Sequence, residues 1–265
     1  MQIGLYESVS GMKVQSVYQD TLSTNLSRMN FPGNKRMITA FELPPESDLE
    51  KASKLPGTTT NIGVPAAPLT SRSVIDFASG SLDATGNPTD FAIEHSDNTF
   101  IKVRDKQDNI LYSRNGQFRL DPNGYLVNGN GDQVLLDSDA PVNLDPKKDK
   151  GLIKIDPEGQ ITAGPNNTKR GTLGLVHTDN PQSTLIDGGA GRFKLADPAK
   201  TDLMQDGLAP GGEVRQGSLE QSNANSLEEM VSLVQVVRSY EANQKALMAQ
   251  DGINNQIIQS ASATS

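Results

Sequence analysis

Residues 226–258 read SLEEMVSLVQVVRSYEANQKALMAQDGINNQII, and the spacing of the apolar side chains in this stretch decides the fold. One seam runs Leu227, Met230, Val234, Val237 and a second runs Leu233, Val237, Tyr240, Leu247. Steps of three and four residues put each seam on one face of a helix. Ser226 and Glu229 have the spacing of a capping box, and Glu228 and Glu229 suit the positive start of a helix. Glu241 and Lys245 are placed to pair one turn apart. At ~1.5 Å per residue such a helix is roughly 50 Å long. Two seams on one helix make a stripe broad enough for two neighbours.

Residues 3–30, IGLYESVSGMKVQSVYQDTLSTNLSRMN, repeat the pattern at the other end. Leu5, Val9 and Met12 share one spacing, and Val14, Tyr18, Leu22, Leu26 and Met29 continue it with a drift. Pro32-Gly33 then ends the helix, since proline lacks a donor and glycine favours a turn. Long helices at both termini, with stripes wider than one partner covers, predict packing against each other and against further copies. The expected fold is therefore α+β: long N- and C-terminal helices forming a coiled-coil-like pair, with an inserted all-β domain.

Between the ends the pattern changes. Residues 44–68 carry five of the fifteen prolines and no periodicity, which predicts an extended linker. From about residue 71, short apolar runs such as Phe91–Ile93, Phe100–Val103, Ile110–Tyr112 and Tyr125–Val127 alternate with turn sequences. Asn115-Gly116, Pro122-Asn-Gly124 and Asn130-Gly131 are hairpin-type turns. Later runs at 152–155, 160–162 and 172–176 extend the strands. The predicted divisions are 1–36 (N-terminal helix and turn), 37–70 (linker), 71–210 (β-rich domain) and 211–265 (C-terminal helix).

Composition narrows the function. The net charge is −8, which argues against a nucleic-acid backbone as partner. Mean hydropathy is −0.48, and no apolar run reaches the ~18 residues of a membrane span. The N-terminus lacks a basic stretch followed by an apolar core, so a Sec-type signal is not expected. Cysteine is absent, which removes disulfide and thiolate chemistry.

Catalytic constellations are also missing. His95 and His177 are the only histidines, and each reads first as a structural or surface residue. No phosphate loop, Rossmann fingerprint or Gly-x-Ser-x-Gly is present. Asp121, Asp132, Asp137 and Asp139 lie near turns, but their spacing does not fit a calcium loop. With aromatics at 5%, a sugar-stacking groove is not expected. No enzyme, cofactor or metal is predicted.

Four segments resemble the bacterial flagellar basal-body rod and hook axial proteins. They are Leu5-Tyr6 with Ser10-Gly11-Met12, Asn25-Leu26 and Lys35-Arg36; Thr85-Gly-Asn-Pro-Thr-Asp-Phe-Ala-Ile93; Tyr112-Ser-Arg-Asn-Gly-Gln-Phe118 with Gly124-Tyr-Leu-Val127; and Gln216-Gly-Ser-Leu-Glu220 with Ser222-Asn223, Glu229-Met-Val231 and Arg238-Ser-Tyr-Glu-Ala-Asn-Gln244. They follow the family's order over nearly the full length. The resemblance implies a rod subunit that stacks helically with copies of itself and other axial proteins. It also implies passage through the flagellar type III export apparatus without a cleaved signal, and contact with bushing-ring proteins. The alternatives are a hook-type subunit, or a secreted β-rich binding or adhesion module with helical arms.

On this reading Leu5, Val9, Met12, Leu22, Leu26, Leu227, Met230, Val234, Val237 and Tyr240 carry helix packing and assembly. Asn25, Gly33, Asn223 and Arg238 are candidates for fixing register. Their plainer roles are a turn for Gly33, caps for Asn25 and Asn223, and a solvated face for Arg238. Residues 24–36 depart from the family's pattern: Arg28 stands where Asn is usual and Asn34 where Phe is usual. Ala224 likewise replaces a common Val. The turn after the first helix is expected to pack differently.

Overall fold

The computed structural model describes residues 2–42, 70–145, 149 and 153–262. Helix α1 spans Gln2–Arg28 and helix α2 spans Ser226–Ser262. Among the described residues between them, the regular elements are β-strands and short helical turns at Pro181–Thr184 and Thr201–Leu203. It divides into two compact units. One comprises 1–26, 37–74 and 226–265; the other comprises 27–36 and 75–225.

The first unit corrects the expected fold class. The chain is mostly β-sheet, with one C-terminal helix and a shorter N-terminal one, and the two do not form a coiled-coil pair. A coiled coil buries its apolar seam as knobs in holes. Here Leu227 is 69% exposed, and Met230, Val231 and Val234 are each 50% exposed. Among the described residues of the two helices, only Leu22 and Val236 are apolar and fully buried. Side-chain amides join the helices instead: Asn25 Nδ2 donates to Glu229 Oε2 at 3.2 Å, and Asn243 Nδ2 donates to Gln15 Oε1 at 3.1 Å. The physical reason lies in where the polar residues fall. Asn25, Gln15 and Asn243 interrupt the inward face, so the broad apolar stripe points outward.

Most of the predicted linker, residues 43–69, lies outside the described residues. Its flanks are strands, Met37–Glu42 and Thr70–Ile75, which pair with each other. Thr21 ties α1 to both, through Thr39 Oγ1 at 3.0 Å and Ser73 Oγ at 3.3 Å.

The second unit is built on a nine-stranded sheet. Strand Thr99–Arg104 sits at its centre, paired antiparallel with Ile110–Ser113 in the register Ile101↔Ser113. On its other side it pairs with Leu175–His177 near its start and Gln133–Val134 near its end. A three-stranded sheet, Ile153–Ile155 with Gln160–Ala163 and Thr168–Thr172, completes the main layers. The larger core gathers Phe91, Ile101, Val103, Phe118, Val134 and Leu144 with residues of the smaller sheet. A second core holds Phe77, Phe100 and Phe193, whose rings meet edge to face at 5.2–5.8 Å, the arrangement their quadrupoles favour.

The β-unit ends later than residue 210. Strand Glu213–Gln216 returns to pair with Phe91–Glu94, and Ser218–Glu220 pairs with Leu82–Ala84. The last strands therefore close onto the first. Gly116 shows why the Asn-Gly-Gln-Phe segment needs glycine: a Cβ there would lie 1.5 Å from the Phe91 carbonyl oxygen. At the Pro122-Asn-Gly turn, Asp121 Oδ1 accepts from the N–H groups of Asn123 at 2.9 Å and Tyr125 at 2.7 Å.

Candidate assembly surface

The segment that follows α1 is irregular and is held by several backbone and side-chain hydrogen bonds. Pro32 and Gly33 end the helix, and Gly33 adopts φ +67°, a conformation glycine takes at no steric cost. Its N–H donates to the Glu220 carbonyl at 2.7 Å. A Cβ at this position would lie 2.2 Å from the carbonyl carbon of Arg114, so only glycine lets the two backbones approach.

Two residues on, Lys35 enters the β-unit. Its Nζ lies 2.6 Å from Glu220 Oε1 and donates to the Ala78 carbonyl at 2.8 Å. Arg114 Nη1 stands 3.5 Å from Glu220 Oε2. The side chains of Lys35, Glu220 and Arg114 are all at most 1% exposed. Arg114 also stacks on Phe100, with its guanidinium carbon 5.5 Å from the ring centre, and its Nη2 donates to the Ser96 carbonyl. Burial pulls the pKa of Lys35 down, against the opposing pull of Glu220, and the nearby Arg114 adds to the depression. Burial lowers Arg114 as well. Two cations thus share one buried carboxylate, and loss of it would leave them only the weaker pull of Asp97.

Asn223 and Asn25 serve as backbone staples. Asn223 Oδ1 accepts from the Arg36 N–H at 2.7 Å, and its Nδ2 donates to the carbonyls of Asp76 and Ala78 at 2.9 and 3.0 Å. Asn25 exchanges a pair of 2.9 Å hydrogen bonds with the backbone of Met37 while also reaching Glu229. Each side chain thus ties together backbone segments that are distant in sequence. Arg238 lies on an exposed face of α2.

The departures in residues 24–36 have partners. Arg28 Nη1 bridges to Asp187 Oδ2 at 2.8 Å. Asn34 is buried, with its Nδ2 3.4 Å from the Lys35 carbonyl.

The apolar positions split. Leu22 is buried; Met12, Leu26, Val237 and Tyr240 are half-buried. Leu227, Met230 and Val234 are exposed and, with Val231, form one stripe at i, i+3, i+4 and i+7. The side chains of Leu5 and Val9 lie outside the described residues. The aspartates singled out by spacing act locally: Asp132 meets Arg192 at 3.3 Å, and Asp139 holds Lys102 at 2.8 Å. His177 Nδ1 lies 3.1 Å from the Gly207 carbonyl oxygen. Among the described residues no group of histidine and carboxylate side chains could hold a metal, and no helix is long and apolar enough to cross a membrane.

Sequence reasoning missed the Lys35–Glu220–Arg114 cluster. Charged residues at these positions read as surface, because lysine, glutamate and arginine are rarely buried unless paired. The one available signal was that Lys35, Arg114 and Glu220 each fall inside a family-like segment.

Comparison with known proteins gives two family matches. Residues 215–260 match the flagellar basal body rod FlgEFG protein C-terminal family, and residues 96–163 match the flagellar hook protein FlgE/F/G D1 domain. The chain is 30% identical to the flagellar basal-body rod protein FlgF of Mesorhizobium japonicum, over 94% of this chain and 93% of the relative. It is 31% identical to the flagellar hook-basal body complex protein FlhP of Bacillus subtilis, over 88% and 89%. Identity to the flagellar basal-body rod protein FlgG of Buchnera aphidicola from Schizaphis graminum is 26%, over 96% of this chain and 98% of the relative.

Proposed function

The chain belongs to the flagellar basal-body rod protein family, and from that membership we infer that its terminal helices are its polymerisation element. It is a structural subunit of the flagellar basal-body rod. The observation that carries the assembly reading is the exposed stripe Leu227, Met230, Val231 and Val234 on α2. A stripe of this kind on a subunit of a polymer is an interface in waiting. Covering the exposed halves of these side chains contributes about 1 kcal/mol each, from the cost of leaving a large apolar side chain in water. Copies of this chain and other axial proteins are the partners this reading assigns. Head-to-tail stacking through such helices gives an open filament. Type III export and bushing-ring contacts belong to the same reading and rest on the family alone.

The test is a pair of substitutions, Met230→Asp and Val234→Asp, introduced into the native gene. Both side chains are exposed in the subunit, so circular dichroism should show a folded β-unit. Motility in soft agar and rods in purified basal bodies should be lost. Normal swimming by both strains would refute the assignment of the stripe.

A further inference from the structure

Lys35 and Glu220 are 185 residues apart in sequence, yet their side chains meet at 2.6 Å in a fully buried ion pair. Around them the N-terminal segment 33–36 and the C-terminal segment 220–223 are joined at two backbone N–H groups. Gly33 N–H meets the Glu220 carbonyl, and Arg36 N–H meets the side chain of Asn223. Glu220 Oε1 also accepts from the Gly80 N–H at 3.0 Å. Every one of these contacts needs the last strand of the unit in place.

We propose that Glu220 is an electrostatic keystone that makes docking of residues 27–36 conditional on arrival of the C-terminal end of the β-unit. Before Glu220 is seated, docking Lys35 would bury a second cation beside Arg114, with only the weaker pull of the exposed Asp97 carboxylate to offset the pair. Repulsion and desolvation act in the same direction and hold the segment out. Once strand Ser218–Glu220 has paired with Leu82–Ala84, one carboxylate faces both cations and the segment closes. A chain that emerges N-terminus first therefore keeps the residues following α1 undocked until residue 220 has been delivered. The segment so controlled is continuous with α1. Charge gating of this kind goes beyond the role of the apolar stripe and does not depend on it.

The experiment is amide hydrogen exchange on the full-length protein and three variants, read at Gly33 and Arg36. Glu220→Gln preserves shape and the acceptor for Gly80 but leaves two buried cations. It should raise exchange at both amides by at least about tenfold, the scale expected for an uncompensated buried charge, while strand Thr99–Arg104 stays protected. Lys35→Met alone leaves one cation facing one anion and should keep the amides protected. Adding Lys35→Met to Glu220→Gln returns the cluster to the wild-type net charge and should restore most of the protection. A purely structural role for the Lys35–Glu220 bond predicts the opposite sign, with the double variant at least as loose as Glu220→Gln. That result, or unchanged exchange in Glu220→Gln, overturns the proposal. If Glu220→Gln does not fold, the double variant decides: folded with Gly33 protected supports charge gating, and unfolded overturns it.

Discussion

Gly33→Ala should be among the most damaging single-methyl additions in the molecule, and its cost can be separated into two parts. The first is conformational. At φ +67° an L-residue pays roughly 1 kcal/mol for entering the left-handed region. The second is steric. The new Cβ would lie 2.2 Å from the Arg114 carbonyl carbon, 2.3 Å from its oxygen and 2.4 Å from the Asn115 nitrogen. These are backbone atoms, so no side-chain rotation relieves the overlap, and forced displacement adds about 1–3 kcal/mol. The total is about 2–4 kcal/mol. Gly86 provides the control, because it has φ +71° and nothing within 4 Å of an added Cβ. Gly86→Ala should show the conformational part alone, about 1 kcal/mol. Urea denaturation of both variants, followed by circular dichroism of the β-unit, measures the difference. Equal losses would refute the claim that a close backbone approach, and not backbone conformation, fixes glycine at position 33.

Asn223→Ala removes three hydrogen bonds to the backbone, two of them partly buried and one exposed, and should destabilise the β-unit by about 1–3 kcal/mol; the same denaturation assay reads it, and a loss under about 0.5 kcal/mol would show the staple to be dispensable. Arg28→Ala breaks a partly exposed ion pair, with Arg28 and Asp187 side chains 27% and 25% exposed, and should cost less than about 1 kcal/mol, shrinking further in high salt. Lys102 gives a pH signature. Its burial works to lower the pKa, but hydrogen bonds to Asp139 and Asp206 prevail and raise it above the usual lysine value. A raised lysine stabilises the fold fully below its unfolded pKa and loses that contribution as pH climbs through the folded value. Stability measured from pH 9 upward should therefore fall less steeply in Lys102→Met than in the wild type.

The legible parts of this chain were those whose signal is local. Strands at Phe91, Phe100, Ile110 and Ile153 announce themselves by apolar runs between Asn-Gly and Pro-x-Gly turns, because a turn's dihedral demands are met by the residues at the turn itself. The start of the second helix at Ser226 was readable as well, whereas the helix runs on to Ser262, past the expected end at 258. The strands at 213–220 were not, since Glu213-Val-Arg-Gln216 and Ser218-Leu-Glu220 carry few apolar residues and become strands through their partners near residues 82–94. For the candidate surface, periodicity identified Leu227, Met230 and Val234 as one face of a helix and assigned them jointly to the helix pair and to further copies; only their exposure separates the two.

By itself, then, the sequence determined two amphipathic terminal helices, a β-rich middle with its turns, the absence of cysteine chemistry and the family resemblance. Only the tertiary structure decided which way the helices face, and it turned the α2 stripe to solvent because amides at Asn25, Gln15 and Asn243 occupy the contact between them. Only the tertiary structure decided, too, that Lys35, Arg114 and Glu220 are interior residues. Helical and strand periods are set by neighbours three or four positions away, so they survive in the one-dimensional string. A carboxylate that balances two cations across 185 residues leaves no such trace, because each charge taken alone has the pattern of a solvated side chain.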